Sequence, residues 1–106
     1  MTQEQKIKEM QILEQGLQNI LMQKQAFNME LSETESALKE LGKSSDEVFK
    51  IIGQLMIKSD KKQINDDLEN KKKLLNLRLK NFETQEKNMS ENVERIRQDL
   101  MKKIKK

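Results

Sequence analysis

The chain has 106 residues, of which 37% are charged and 34% hydrophobic, with three Phe and no Trp, Tyr or Pro. This composition is far from that of a compact domain and close to that of long amphipathic helices, which argues against a thick globular core. Because there is no Cys and no His, the sequence excludes disulfides, thiolate or imidazole metal sites and the usual nucleophile and base pairs, and we expect neither an enzyme nor a cofactor.

The first predicted element is a long helix over residues 2–42. Thr2 and Gln5 have the spacing of a capping box at its start, and Gly42 stands where a left-handed C-cap would end it. Its seam alternates steps of three and four residues: Met10, Leu13, Leu17, Ile20, Lys24, Phe27, Leu31, Thr34, Leu38 and Leu41. This heptad spacing predicts a coiled coil, in which the polar Lys24 and Thr34 would fix the register.

The segment VFKIIGQLMIK follows a short polar connector and predicts a β-hairpin over residues 47–59. Its two apolar runs are separated by Gly53 and Gln54, and Gly supplies the positive φ of a tight hairpin turn. A two-stranded hairpin is marginal in water, and no third strand is available, so other chains must supply the remaining strands. The predicted assembly residues are Val48, Phe49, Ile51, Ile52, Gly53, Leu55, Met56 and Ile57.

A second helix is predicted over residues 60–105, with Asp60 and Gln63 repeating the cap pattern. Its apolar positions again have near-heptad spacing, with Glu86 as a polar seam residue and a phase slip at Lys71 and Lys72. These positions are Ile64, Leu68, Leu75, Leu79, Phe82, Met89, Val93, Ile96 and Leu100.

Two helices of similar length joined by a hairpin predict a mainly α fold, a long antiparallel two-helix coiled coil forming a single domain over residues 1–106. Residues 1–41 carry four Lys against seven Glu, a net charge of −3, and residues 61–106 carry fourteen Lys and Arg against eight acids, a net charge of +6. Opposite charges favour pairing within the chain. The predicted register places Leu13 near Met89 and Phe27 near Leu75.

The hairpin VFKIIGQLMIK followed by SDKKQINDDLENKKKLLNLRLKNFETQEK resembles the β-type subunits of prefoldin, over essentially the whole chain. The single hairpin favours the β type, since α-type subunits carry two. The resemblance implies a hexamer of two α-type and four β-type subunits in which the hairpins complete an intermolecular β-barrel. It further implies an ATP-independent co-chaperone whose coiled-coil tips hold unfolded polypeptides and deliver them to a group II chaperonin.

The tips of the predicted coiled coil carry more apolar side chains than one seam can bury. The candidate client-binding residues are Ile7, Met10, Ile12, Leu13, Ile96, Leu100, Met101 and Ile104. Heptad spacing favours packing in the seam for Leu13 and Ile96. Ile12, Met101 and Ile104 lie off or beyond the seam, which favours contact with clients.

The C-terminal segment RIRQDLMKKIKK supports a different interpretation, because it is basic and amphipathic. Such a segment can bind nucleic acid, anionic membranes or acidic protein surfaces, or it can simply complement the negative end of the helix dipole. It contains no aromatic residue on which bases could stack, and we expect neither nucleic acid nor membrane as a partner. A generic coiled-coil scaffold is the other alternative, and it leaves the hairpin unexplained.

Other functional classes have weak support in the sequence. The carboxylates of Asp66, Asp67 and Glu69 more often serve the positive end of a helix dipole than a metal ion. No stretch approaches the roughly 18 to 20 apolar residues of a membrane span, and the first residues do not form a signal sequence. We therefore expect a soluble cytoplasmic protein.

Overall fold

The structure, a computed structural model, describes residues 2–45 and 47–104, and the side chains of residues 2–45 and 47–102. It contains helix α1 (Gln3–Lys43), strands β1 (Glu47–Ile52) and β2 (Leu55–Asp60), and helix α2 (Lys61–Ile104). The predicted fold class, two long helices joined by one hairpin, is confirmed. Both helices begin, and α1 ends, within one residue of the predicted bounds, whereas residue 105, the predicted end of α2, lies outside the described residues. The barrel with strands of other chains stays a prediction.

Helix α1 begins with the predicted capping box. The backbone N–H of Gln5 donates to Thr2 Oγ1 at 3.2 Å, and the backbone N–H of Thr2 donates to Gln5 Oε1 at 2.9 Å. Two backbone donors at the start of the helix therefore have side-chain acceptors, as the sequence predicts.

The end of α1 differs from the prediction. The helix continues through Gly42 to Lys43, and among the described residues only Gly53 has a positive φ. The left-handed cap at Gly42 is therefore wrong. Ser44 takes that role instead, because its backbone N–H and its hydroxyl both donate to the carbonyl oxygen of Leu41, at 3.2 and 2.8 Å.

Strands β1 and β2 pair antiparallel around the predicted Gly53-Gln54 turn. Gly53 has a φ of 60°, and no other described residue has a positive φ, which matches a type II′ turn with Gly at its first central position. Directly opposed residues point to the same face of a sheet. The register Ile51↔Met56 and Ile52↔Leu55 therefore assigns the four side chains next to the turn to two different faces.

Helix α2 starts directly after β2, and Asp60 is both the last residue of the strand and the N-cap of the helix. The backbone N–H of Lys62 donates to Asp60 Oδ1 at 3.2 Å, which confirms the predicted cap. Gln63 does not complete a capping box. Its side-chain amide donates to Asp67 Oδ1 at 3.0 Å, one turn further along the helix.

The contacts divide the chain into two compact units, residues 1–26 with 79–106 and residues 27–78. We call them the terminal unit and the hairpin unit. In each of them the predicted seam residues of α1 and α2 are buried or half-buried, which confirms the coiled-coil pairing. The most deeply buried side chains are Ile20, Leu79 and Val93 in the terminal unit and Thr34, Leu41, Val48 and Leu75 in the hairpin unit.

The contacts between the helices within each unit lie around the predicted register, and the pair of Glu30 with Lys71 agrees with it. Met89 lies against Gly16, one turn after the expected Leu13, and the Arg78 guanidinium lies 5.9 Å from the ring centroid of Phe27, where Leu75 was expected. Lys72 is half-buried in line with the seam, at a position that the predicted apolar pattern left unfilled.

Candidate functional site

The hairpin presents a cluster of exposed apolar side chains. Six of its eight predicted assembly residues are between 44% and 68% exposed: Phe49, Ile51, Ile52, Leu55, Met56 and Ile57. Gly53 forms the turn. Val48 is the exception, because it is 9% exposed and buried in the hairpin unit. Val48 therefore belongs to the chain's own core, which corrects its predicted place on the assembly surface.

The two faces of the hairpin have different surroundings. Phe49, Ile51 and Met56 share one face and border a depression of about 400 Å³. The helices contribute Leu41, Ile64 and Leu68 to the lining of this depression. Ile52, Leu55 and Ile57 form the other face. Each face is thus an apolar surface in its own right, and one of them continues into a groove against the helices.

The charges and backbone edges of the hairpin also favour association with another sheet. An ion pair joins Lys58 Nζ and Glu47 Oε1 at 3.3 Å, close to the strand ends that connect to the helices. The turn end carries only Gly53, Gln54 and apolar residues. The sheet has two strands, so each strand has one hydrogen-bonded neighbour and one open edge. An apolar strand with an open edge is a template for pairing with another chain.

The candidate client-binding residues fall into two groups in the terminal unit. Ile7, Ile12 and Met101 are exposed, with Ile12 the most exposed at 69%. The half-buried group, in line with the seam, is Met10, Leu13, Ile96 and Leu100. The side chain of Ile104 lies outside the described residues.

Two shallow depressions collect some of these side chains. Ile12 and Leu13 line one of about 450 Å³ together with Gln5, Lys8 and Glu9. Ile96 lines another of about 240 Å³, whose other lining residues are Lys6, Glu9, Asn92, Arg95 and Asp99. The structure therefore brings Ile12 and Leu13 together, whereas Ile7, Leu100 and Met101 line neither depression. Both depressions are lined by apolar and charged side chains together.

The basic C-terminal segment is partly neutralised. Arg97 forms ion pairs with Glu94 at 3.0 Å and with Glu14 at 3.7 Å. Asp99 within the same segment pairs with Lys6 at 3.8 Å. Lys105, Lys106 and the side chain of Lys103 lie outside the described residues. The described part of this segment therefore presents fewer unpaired cations than its sequence indicates.

The structure also exposes apolar side chains that the sequence-based predictions did not single out: Leu21, Met22, Met29, Leu74 and Leu77. All of them stand outside the heptad seam in the sequence. Apolar residues at positions between the seam residues are the signal that would have found them, because a two-helix coiled coil buries its seam and leaves the far side open.

Sites of other kinds are absent from the described part of the chain. In residues 2–45 and 47–104, no group of three or more His, Cys, Asp or Glu side chains is arranged to hold a metal ion. In the same residues, no helix has an apolar stretch long enough to cross a membrane. Asp67, one of the clustered carboxylates, accepts a hydrogen bond from Gln63.

A sequence model described as "Prefoldin subunit" matches residues 4–106 of this chain. The chain belongs to the prefoldin family. The prefoldin subunit beta of Thermococcus onnurineus is 34% identical over 89 residues, covering 82% of this chain and 77% of that protein. The prefoldin subunit beta of Methanothrix thermoacetophila is 34% identical over 98 residues, covering 91% of this chain and 82% of that protein.

A solved structure shares the fold of this prefoldin chain. The crystal structure of the prefoldin beta subunit from Thermococcus strain KS-1 superposes with a TM-score of 0.86 at 28% identity, covering 94% of this chain and 90% of that one. The predicted resemblance to β-type prefoldin subunits is thereby confirmed. The chain thus belongs with the prefoldin chaperones, and each of the relatives named above is described as a prefoldin beta subunit.

Proposed function

We propose that this chain is the β-type subunit of a cytoplasmic prefoldin hexamer with two α-type and four β-type subunits. The complex captures unfolded polypeptides without ATP and delivers them to a group II chaperonin. The hairpin is its assembly element, and the apolar side chains near the two chain ends hold the client. In this proposal the partners of the chain are the client polypeptide, the α-type subunit and the chaperonin.

The hairpin carries the proposal. Its six exposed apolar side chains lie on two faces of a sheet with only two strands. At about 25 cal/mol per Å² of apolar surface removed from water, covering even half of such a surface is worth several kcal/mol. In a monomer these side chains stay in contact with water, whereas a barrel built from several hairpins covers one face and pairs the open edges.

Client holding is supported by the terminal unit. Ile7, Ile12 and Met101 are exposed next to the half-buried seam residues, and these side chains are not needed to pair the helices. Each such contact is weak. Several subunits acting together bind a client with an avidity that can exceed the affinity of one subunit by about a hundredfold or more.

The assembly role is tested by charging one hairpin face at a time. The register shows that Ile51 and Leu55 lie on different faces, so the informative pairs are Ile52→Lys with Leu55→Lys and Ile51→Lys with Met56→Lys. Unpaired charges buried in a barrel cost several kcal/mol. We therefore expect that at least one of the two double variants no longer forms the complex, as judged by native mass measurements. Its helix content, measured by circular dichroism, should be retained.

A matched control adds the same charge elsewhere. Gln85→Lys with Asn88→Lys places two lysines at exposed positions of α2 and should leave the mass of the complex unchanged. A complex that survives both hairpin pairs would show that the hairpin is not the assembly element.

The client-holding role is tested with Ile12→Ser and Met101→Ser together. Suppression of aggregation of a denatured test protein should fall while the mass of the complex stays the same. Leu21→Ser with Met22→Ser is the control, since it removes two other exposed apolar side chains of the terminal unit. Deletion of residues 1–12 and 100–106 should abolish the protection. Equal protection by the truncated complex would place the client surface elsewhere.

The same assay separates apolar binding from binding through the basic segment. Changing Lys102, Lys103, Lys105 and Lys106 to Gln should leave client protection intact, and moderate salt should weaken it little, because salt screens exposed charges and leaves apolar burial nearly unaffected. Loss of protection in the Gln variant, reproduced by salt, would favour the basic segment as the binding site.

A further inference from the structure

Helix α2 exposes two leucines on the side that faces away from its seam. Leu77 stands midway in the sequence between Leu75 and Leu79, both of which are buried, so at 3.6 residues per turn it lies on the opposite side of the helix. Leu74 lies one turn before Leu77. Leu74 is 63% exposed and Leu77 is 57% exposed. Neither is needed to pair the helices, and residues three apart on a helix are neighbours on its surface.

Cations border these two leucines. Lys73 is exposed on one side of them and Arg78 on the other. The guanidinium of Arg78 lies over the ring of Phe27, 5.9 Å from its centroid. Between Glu69 and Glu83 the sequence of α2 contains no acidic residue. The surface around the leucines is therefore apolar and positively charged.

The charge of Lys73 is not compensated within the described part of the chain. Lys71 Nζ lies 3.1 Å from Glu30 Oε1, whereas none of the ion pairs between described side chains includes Lys73. We call Lys73, Leu74 and Leu77 the α2 outer patch. It combines two exposed apolar side chains with an ammonium group that is open to an external carboxylate.

We propose that the α2 outer patch is a second client-binding site, which takes unfolded segments carrying Asp or Glu beside apolar residues. The two leucines cover apolar side chains of the client, and the ammonium group of Lys73 meets a client carboxylate. A second copy of the same patch does not fit this surface, because two patches face to face would bring their Lys73 charges together.

This inference rests on the client-holding part of the proposed function and adds a contact in the hairpin unit. A patch with two leucines is a weak site by itself. It raises the affinity for a client that the terminal unit already holds, because the second contact is then made within one complex. Deletion of residues 1–12 and 100–106 should therefore still abolish protection.

A photoreactive group tests whether the client reaches the patch. The chain contains no Cys, so Asn70→Cys, at an exposed position one turn before Leu74, can carry a benzophenone in the complex assembled with an α-type subunit. Irradiation with a labelled, denatured test protein should give a client adduct on a denaturing gel. Ser36→Cys, exposed on α1 of the same unit, is the matched control and should give several-fold less adduct. Equal adduct yields, or a product of two copies of this chain in place of the client adduct, would overturn the inference.

Two synthetic probes test the chemistry of the site. The acidic probe is an unfolded polypeptide of Leu, Ser and Glu, and the basic probe has Lys in place of each Glu. Lys73→Glu should weaken binding of the acidic probe several-fold, measured by fluorescence anisotropy with the assembled complex, and strengthen binding of the basic probe. Lys87→Glu, which reverses another exposed cation of α2, is the control. Equal effects of the two substitutions would contradict a carboxylate contact at Lys73.

The apolar part of the site is tested with Leu74→Ser and Leu77→Ser together, which should weaken binding of both probes several-fold at unchanged mass of the complex. If this variant binds like the native complex while Ile12→Ser with Met101→Ser binds more weakly, the inference is wrong and the proposed function stands. If neither pair of substitutions changes binding, the client-holding part of the proposed function is wrong as well.

Discussion

Lys24 of α1 and Glu86 of α2 form an ion pair inside the seam, with the ammonium group of Lys24 donating to Glu86 Oε2 at 2.7 Å. Their side chains are 21% and 31% exposed, so water reaches both only partly. The hydrogen bond to Glu86 raises the pKa of Lys24 above its ordinary value, desolvation opposes this shift, and the charges of Glu86 and Glu83 add to it. The pair thus joins two charged residues that the heptad pattern predicts at seam positions of opposite helices.

The pair predicts an asymmetry between single and double substitutions. Removing one partner, as in Glu86→Leu, leaves a partly buried charge without its counterion and should lower the midpoint of thermal unfolding. The double variant Lys24→Leu with Glu86→Leu replaces the pair by apolar packing in the seam and should be more stable than either single variant. Thermal unfolding followed by circular dichroism compares the midpoints of the native chain, the two single variants and the double variant. A double variant less stable than both single variants would contradict the argument.

The stability of the pair should also depend on pH in one direction. A lysine whose pKa is raised on folding contributes stability that is fully present below the ordinary value of 10.5 and is lost as the pH rises through the higher folded value. The stability difference between the native chain and Lys24→Met should therefore stay constant from neutral pH to about 10 and shrink above 10.5. Lys87→Met, at an exposed position, controls for the titration of other lysines. An undiminished difference above that range would exclude the pair as its source.

Most of the local signals in the sequence are found where they were predicted, and one is wrong. The Thr2 capping box, the Asp60 cap and the Gly53 turn are all found as expected. Each of them depends only on residues that are close together in the sequence. The helix end at Gly42 is wrong because Ser44 satisfies the Leu41 carbonyl without any left-handed residue. That competing cap involves a short polar side chain in the connector, and such residues form many alternative local hydrogen bonds.

The candidate site shows a similar division. The apolar character of the hairpin is readable from its sequence, but the assignment of Ile51 and Leu55 to opposite faces needs the strand register. The burial of Val48 depends on tertiary packing. Thr34 is polar and buried, yet its hydroxyl donates to Glu30 O within α1 at 2.8 Å. Of the two polar seam residues of α1, Lys24 therefore carries the described polar contact to α2, a distinction that the heptad pattern alone does not make.

The glycines of α1 allow a comparison of helix propensity with packing. Replacing Gly by Ala inside a helix gains about 1 kcal/mol. At Gly42 an added methyl group would have no neighbouring atom within 4 Å, but Gly42 is the second-last residue of α1, so Gly42→Ala should gain only part of this amount. A Cβ at Gly16 would lie 3.3 Å from the terminal methyl group of Met89, so Gly16→Ala should also gain less than the full amount. Urea unfolding at fixed protein concentration measures both. A gain of the full amount at Gly16 would show that the Met89 contact costs nothing.

The same contact predicts a reversal with a larger side chain. Gly16→Leu would need space that Met89 occupies, and overpacking of a filled site typically costs about 1 to 3 kcal/mol. Gly16→Leu should therefore be less stable than the native chain, and adding Met89→Ala should recover part of the loss. If Met89→Ala recovers nothing in the Gly16→Leu background, the cost arises from other neighbours.

The cap at Asp60 joins the hairpin to α2, because one carboxylate ends the strand and accepts the first backbone donor of the helix, from Lys62. Replacing an N-cap Asp by Ala typically costs about 1 kcal/mol, whereas Asn caps a helix about as well as Asp. Asp60→Ala should therefore lower the free energy of unfolding by about 1 kcal/mol. Asp60→Asn should lose only the interaction of the negative charge with the helix dipole, about 0.3 to 1 kcal/mol at low salt and less when salt screens it. The comparison is made by urea unfolding at two salt concentrations. A loss in Asp60→Asn that equals that of Asp60→Ala and does not change with salt would show that Asp60 acts through something other than the hydrogen bond to Lys62.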